Sequence, residues 1–215
     1  MSLLQRLVRD AQMLGVTLGE ADAKRLCALL TELARWNRTY NLTAIRSEEE
    51  MLTHHLLDSL AIHADLCGES ICDVGTGAGF PGLPLALIQP ARRFALIDSN
   101  GKKIRFVSHA VRMLGLTNVE AVHARAEELL PDPPFDTVMA RACAPLPELL
   151  EKVAHLAGPA TRVLAMKGKR PDKEIEALPS TWQLLAVRPI IVPGLAESRC
   201  LITLTRASGL SGGQA

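Results

Sequence analysis

From residue 71 the chain takes up a rhythm that few folds accommodate: short apolar runs bounded by turn residues, with helical stretches between them. The runs are Ile71-Cys72-Asp73-Val74, Phe94-Ala95-Leu96-Ile97, Val119-Glu120-Ala121-Val122, Thr137-Val138-Met139-Ala140 and Val163-Leu164-Ala165-Met166. Helical spacing fills residues 83–89, 102–114, 127–130 and 146–156. Strands joined through helices cross over right-handed and pair in parallel, so the alternation predicts a parallel sheet covered on both faces. Near the end the alternation stops. Residues 184–192 and 201–205 are two strand-like runs joined through Pro193-Gly194 with no helix between them, which predicts an antiparallel hairpin. Seven strands are expected in all.

The first third of the chain reads differently. Leu3, Leu4, Leu7, Val8, Ala11 and Leu14, interrupted by Arg6, Arg9 and Asp10, predict an amphipathic helix and not a signal peptide. Leu26, Leu29, Leu30, Leu33, Trp36 and Tyr40 continue at helical spacing, behind Glu20 and Asp22, which suit a helix start. Ser47 followed by Glu50 is a capping box that opens a third helix through residue 66. The expected organisation is a helical extension over 1–67, an α/β domain over 68–206, and a Gly/Ser-rich, disordered tail over 207–215.

Composition narrows the classes. Apolar residues are 48% of the chain but aromatics only 3%, so the core must be aliphatic. The five cysteines, Cys27, Cys67, Cys72, Cys143 and Cys200, form no C-x-x-C pair, which argues for reduced thiols and against a zinc site; no metal is expected. No apolar run approaches the roughly 20 residues that span a bilayer, so a soluble, cytoplasmic protein without membrane contact is expected. Lys plus Arg (24) nearly balances Asp plus Glu (23), so only local basic clusters can argue for nucleic acid.

The chemistry concentrates in Asp73-Val74-Gly75-Thr76-Gly77-Ala78-Gly79-Phe80-Pro81-Gly82. A glycine-rich loop directly after a buried strand is where open α/β sheets bind nucleotide-like cofactors. Gly75, Gly77, Gly79 and Gly82 suit positive φ angles and close approach of a ligand to the backbone. The G-x-G-x-x-G spacing of Gly77, Gly79 and Gly82 is weak by itself. Asp73 discriminates better: a carboxylate there opposes a pyrophosphate but suits a ligand carrying an ammonium and a sulfonium, as S-adenosylmethionine does. Asp98, ending the second strand, suits ribose hydroxyls in that cofactor and in NAD alike.

Three segments together resemble the RsmG (GidB) family of 16S ribosomal RNA guanine-N7 methyltransferases: residues 36–43 (Trp-Asn-Arg-Thr-Tyr-Asn-Leu-Thr), His55-Leu56-Leu57-Asp58-Ser59, and residues 73–82. Asp98-Ser99 before Lys102-Lys103, Pro134-Phe135-Asp136, Arg141-Ala142 and Met166-Lys167-Gly168 extend the likeness over nearly the whole chain. The resemblance implies a Rossmann-like class I methyltransferase fold, S-adenosylmethionine as cofactor, and 16S ribosomal RNA or the small ribosomal subunit as partner of a monomer. It implies that Gly75, Gly77 and Phe80 line the cofactor site, that Ala126 and Glu127 meet the adenine, and that Arg141 sits beside the reacting groups. Guanine N7 carries a lone pair and no proton, so in-line attack on the methyl group needs no general base. Arg141 and Lys167 are then expected to position the guanine. Phosphate contacts are expected from Lys102, Lys103 and Arg105, with Arg112 nearby, and from Lys167, Lys169 and Arg170, with Arg162 and Lys173 nearby. Asn41 and His55 either pack in the core or shape the pocket. The alternatives to this reading are an NAD-dependent oxidoreductase and a non-enzymatic RNA-associated protein that binds an adenosine ligand.

Overall fold

A computed structural model describes residues 1–141 and 144–207. Ala142, Cys143 and residues 208–215, which are nearly all of the expected tail, lie outside the described residues. Seven strands among the described residues form one sheet: β1 Ser70–Val74, β2 Arg93–Asp98, β3 Val119–His123, β4 Phe135–Arg141, β5 Ala157–Lys167, β6 Trp182–Ile190 and β7 Arg199–Arg206. Their order is β3-β2-β1-β4-β5-β7-β6. The first five run parallel, and β7 lies antiparallel to both β5 and β6. All seven expected strands and the terminal hairpin are therefore present. Between β1 and β4 the winding direction reverses, and such a switch point leaves a crevice at the carboxyl edge of the sheet.

Side chains alternate between two apolar layers, as the period of two in a strand requires. Ile71, Leu96 and Met139 face one layer, while Cys72, Ile97 and Val138 face the other. The first layer holds α5 Gly82–Ile88 and α6 Gly101–Leu114 together with the N-terminal helices α1 Leu3–Met13 and α2 Glu20–Tyr40. The second holds α7 Leu146–Val153. The helical extension thus shares a core with the sheet: Leu26, Leu29, Leu30 and Leu33 join Leu83, Phe106 and Val107 in one buried cluster. Trp36 packs edge-on against Phe106 at 5.6 Å and stacks on His109 at 5.1 Å.

Three helices differ from expectation. The third runs as α3 Glu48–Met51, a π-helical stretch Leu52–Leu57, and α4 Asp58–Leu60, without a break between them. Ser47 Oγ accepts from the Glu50 N–H (3.2 Å), which is one half of the expected capping box. The helix stops at Leu60 and not 66, where His63 Nδ1 lies 3.0 Å from the Leu60 carbonyl and a single 3-10 turn follows at His63–Asp65. The helix expected at 127–130 is a 3-10 turn, Ala126–Glu128. The backbone is already extended at Leu129, and Pro131 keeps Leu130 from the α region as well. Conversely, the short helix α8 Asp172–Glu176 was not expected from periodicity.

The Trp36-to-Thr43 segment owes its shape to Asn37. Its buried side chain donates from Nδ2 to the Ile45 carbonyl (3.0 Å) and accepts at Oδ1 from the Thr43 N–H (2.9 Å), which folds residues 43–45 back onto α2. Asn41 caps α2 in the left-handed region (φ 50°) and accepts from Arg46. Each buried backbone group left unpaired costs about 1–3 kcal/mol. Asn37→Ala is therefore expected to lower the unfolding free energy by at least about 2 kcal/mol. Urea denaturation measures this; a loss under about 0.5 kcal/mol would show that residues 43–45 are held by something else.

Candidate functional site

The glycine loop is closed by one buried carboxylate. Asp73 Oδ2 accepts from Thr76 Oγ1 (2.7 Å) near the start of the loop and from the Gly82 N–H (2.9 Å) at its end. Asp73 Oδ1 is buried with no hydrogen-bond partner. Burial pushes its carboxyl up to about 6, against the pull of the Thr76 and Gly82 hydrogen bonds and of the Arg141 guanidinium. Asp73 thus braces the loop from beneath, and it does not line the cavity that the loop forms. Gly77 takes a φ of 63°, which turns its N–H onto Asp98 Oδ2 (2.9 Å). Gly82 has a different reason from the expected positive φ: a Cβ there would collide with Leu96 and lie 2.8 Å from Asp73 Oδ2.

Above this loop lies a cavity of about 380 Å³, lined by Gly75, Thr76, Gly77, Ala78, Phe80, Asp98, Lys103, Arg141, His55, Leu42 and Thr43. Of the residues expected to hold the cofactor, Gly75, Gly77, Phe80, Asp98 and Arg141 meet here. Asp98 Oδ1 accepts from the Asn100 N–H (2.8 Å), and Lys103 Nζ lies 3.9 Å from Oδ2. A carboxylate has about four lone-pair sites, so Asp98 retains acceptor capacity toward the cavity. Ala126 and Glu127 stand just past the carboxyl end of β3 but line neither this cavity nor its neighbour. The Ala126 carbonyl accepts from His155 Nε2 (2.9 Å). A larger hollow of about 540 Å³ lies at the opposite edge, among the first residues of β1 to β4, where no loop of this kind converges.

A second cavity of about 430 Å³ adjoins the first through His55 and Arg141. Ile45, His54, Asp58, Met166, Lys167, Gly168 and Arg199 complete its wall. Arg141, at the end of β4, donates from Nη1 to the His54 carbonyl (2.8 Å) and to Asp58 Oδ2 (3.1 Å). His54 sits in the π-helical stretch, and π-turns concentrate at functional sites because they re-aim backbone groups. His55 stacks on Phe80 at 4.9 Å, and the Arg141 guanidinium lies 5.9 Å from the Phe80 ring. Burial, reinforced by Arg141, drives the His55 pKa down to about 3. The ring is therefore neutral. Arg141 Nη2 lies 3.4 Å from Nδ1, so the proton belongs on Nε2, 3.0 Å from Thr43 Oγ1.

Lys167 lines the second cavity, but its ammonium is already engaged. It donates to Glu174 Oε2 (2.8 Å) and to the Ala144 carbonyl (3.0 Å), while Glu174 Oε2 also accepts from the Leu146 N–H. Burial raises the Glu174 pKa, yet these hydrogen bonds and the Lys167 charge win and hold it below the usual range. Lys102 and Arg105 are exposed on the first turns of α6, while Arg112 lies in its last turn, about 15 Å further along the helix. Lys169 and Arg170 edge a third hollow that meets the second at Gly168 and Arg199, and Arg170 pairs with Asp172 (2.5 Å). Arg162 pairs with Thr137 early in β4, away from this edge. Asn41 lines neither cavity, and Asp136 anchors Glu69 and Ser70 at the amino edge. Neither Asp58 nor Arg199 was expected at the site from sequence: Asp58 stood only within the His55-to-Ser59 segment of the family likeness, and Arg199 in no motif.

The first cavity suits a ribose-bearing ligand. It sets the Asp98 carboxylate in its wall, with Lys103 and Arg141 beside it, and the Asp73 carboxylate, with one oxygen unpartnered, beneath its floor. A sheet of this order with such a loop at its switch point defines a Rossmann-like class I methyltransferase fold. Solved structures agree on the fold. A SAM-dependent methyltransferase from Aquifex aeolicus superposes with a TM-score of 0.54 at 20% identity, covering 70% of this chain and 90% of that one. TYW2 of M. jannaschii, solved in complex with AdoMet, gives 0.52 at 16% identity, covering 67% and 73%.

The chain belongs to the GidB family, rRNA small subunit methyltransferase G, whose sequence model matches residues 22–202. The ribosomal RNA small subunit methyltransferase G of Pseudomonas paraeruginosa is 44% identical over 204 residues, covering 94% of this chain and 95% of the relative. That of Pseudomonas syringae pv. syringae is 43% identical, covering 95% of each. S-adenosylmethionine is accordingly the cofactor, and the nicotinamide alternative loses its support. Among the described residues no helix is long and apolar enough to cross a membrane, and no group of three or more His, Cys, Asp or Glu is placed to hold a metal.

Asp73 yields a prediction whose sign follows from its raised pKa. An acid that binds its proton more tightly when folded contributes stability below its unfolded pKa of 3.8, and that contribution is lost as pH rises through about 6. Near neutral pH the ionised carboxylate therefore burdens the ligand-free fold by about 3 kcal/mol. Asp73→Asn keeps an acceptor for Thr76 and Gly82 without the charge. It is expected to stabilise the ligand-free protein by about 1–3 kcal/mol at neutral pH and by nearly nothing at pH 4, while weakening S-adenosylhomocysteine binding at least tenfold. Denaturation across pH and calorimetric titration read the two effects; a pH-independent difference with unchanged affinity would contradict the assignment.

Proposed function

We propose that this protein transfers the methyl group of S-adenosylmethionine to N7 of a guanine in 16S ribosomal RNA, acting as a monomer by in-line attack without a general base. The observation that carries this reading is the wall shared by the two cavities. That wall is His55, held neutral with a pKa near 3 and so a poor base, and Arg141, whose guanidinium offers no acceptor. An acceptor atom that has a lone pair and no proton to lose suits such a wall, and guanine N7 is one. When bound, S-adenosylmethionine supplies the methyl group as a sulfonium electrophile. The N7 lone pair forms the new bond to carbon as the carbon–sulfur pair returns to sulfur, so no proton moves.

The chain's own residues position the acceptor and exclude water. Gly75, Gly77, Phe80 and Asp98 bound the cofactor side, with Asp73 holding the loop and Ala126 and Glu127 beside it at the sheet edge. Arg141, fixed by Asp58 and the His54 carbonyl, orients the guanine through O6 or a neighbouring phosphate. Lys167 acts through its bond to Glu174, which fixes the far wall of the acceptor cavity. Lys103 borders the first cavity and Lys169 and Arg170 the third, and with Lys102 and Arg105 on the first turns of α6 they meet RNA phosphates.

Transfer of labelled methyl groups to ribosomal RNA, followed by nucleoside digestion, is expected to yield 7-methylguanosine alone. Label on another nucleoside, or none on naked RNA and small subunits alike, would overturn the proposal. Arg141→Ala is expected to lower kcat about 10- to 100-fold at saturating cofactor and RNA, the worth of a hydrogen bond to a charged group; unchanged turnover would remove Arg141 from the site. Lys102→Ala and Lys169→Ala are each expected to weaken RNA binding and reduce the slope of log K against log salt by about one. A slope equal to that of the parent protein would show that these lysines do not meet phosphate.

A further inference from the structure

Asp58 is the least accounted-for charge in the molecule. It opens α4, is 2% exposed, and comes from the helical extension and not from the sheet. Two guanidiniums converge on it. Arg141 Nη1, from the end of β4, lies 3.1 Å from Oδ2, and Arg199 Nε, from the start of β7, lies 3.4 Å from Oδ1. The Arg199 approach is an ion pair without hydrogen-bond geometry, since Oδ1 has no hydrogen-bond partner. Arg199 Nη1 donates to the Ser198 carbonyl (3.0 Å), and its Nη2 has no partner among the described residues.

β4 and β7 flank β5 in the sheet, so the two arginines stand on either side of Met166 and Lys167 at the same edge. Both line the second cavity, and Arg199 also lines the third. Their side chains remain about one-fifth exposed, against 3% for the Asp58 side chain. A buried carboxylate facing two half-open cations does not seal them off. It fixes where they stand and leaves their outer nitrogens to the cavity. Lys167 does not compete for this carboxylate, being engaged by Glu174, and His54 Nε2 is turned to Glu197 at 3.6 Å.

We infer that Asp58 is the positioning residue of the acceptor site: one buried carboxylate from the helical extension sets Arg141 and Arg199 on opposite sides of the cavity that receives the target nucleotide. This rests on the methyl transfer proposed above and adds the element that aims its cations. Asp58 touches neither substrate nor cofactor in this scheme. Its removal leaves both guanidiniums charged but held only by the His54 and Ser198 carbonyls, so RNA attraction persists while the productive geometry is lost.

The test is steady-state methylation of small-subunit RNA by the full-length protein at saturating S-adenosylmethionine, with S-adenosylhomocysteine affinity measured separately by calorimetry. Asp58→Asn is expected to lower kcat at least tenfold, to leave KM for RNA unchanged or lower, and to keep S-adenosylhomocysteine affinity within threefold. Placed on the Arg141→Ala, Arg199→Ala double variant, it is expected to cost less than a further threefold, because its effect passes through those two guanidiniums. A kcat within threefold of the parent overturns the inference, as does a parallel loss of kcat and cofactor affinity, which marks a mere staple between helix and sheet. Should Asp58→Asn fail to fold, Arg199→Ala decides: a severalfold loss of kcat with raised KM and retained cofactor affinity supports the bridge, and unchanged kcat overturns it. A parent protein that binds S-adenosylhomocysteine but methylates no ribosomal RNA overturns the proposed function itself.

Discussion

The site depends on a carboxylate sealed from water. Asp73 ends the central part of β1 and gathers both ends of the glycine loop onto one oxygen, through Thr76 and Gly82. Burying an ionisable group without full hydrogen bonding is unfavourable, and the raised pKa records it. The loop's remaining ties run outward to β2, where Thr76 N–H donates to the Ile97 carbonyl and Gly77 N–H to Asp98. The first cavity is therefore framed by two carboxylates that act through the backbone, and neither glycine nor loop length alone would hold its shape.

The second constraint comes from outside the sheet. Residues 43–45 are folded back by Asn37, Thr43 meets His55, and His55 stacks on Phe80. The π-helical stretch brings the His54 carbonyl to Arg141, so one wall of both cavities is built from the N-terminal extension. That extension shares its apolar layer with α5 and α6, so the wall is anchored in the core beneath it. Fold and site are in this sense one object, and the extension and the sheet edge line the second cavity together.

Much of this was legible in the sequence because it is local. Strands buried on both faces read as short apolar runs, and the Pro193-Gly194 turn with no helix marked the reversal of β7. The residues Gly75, Gly77, Phe80, Asp98 and Arg141 fell together because they stand at successive carboxyl ends of β1, β2 and β4, which topology alone aligns. What was illegible depends on distant partners. Lys167 looked like a free cation until Glu174 and the Ala144 carbonyl were found on it. That one Asp73 oxygen is spent on Thr76 and Gly82 likewise shows only in three dimensions. Arg199 carries no motif, and its part in the site comes from β7 being threaded beside β5. The short turn at Ala126–Glu128 was misread as helix because apolar spacing outweighed the prolines behind it.

The most direct test is a crystal structure with S-adenosylhomocysteine bound. The ligand is expected in the cavity above the glycine loop, its ribose at Asp98 and its sulfur toward His55 and Arg141, with the adjoining cavity left open for the acceptor base. A ligand seated in the larger hollow at the amino edge of the sheet, or one that fills the Asp58, Arg141 and Arg199 cavity, would contradict it.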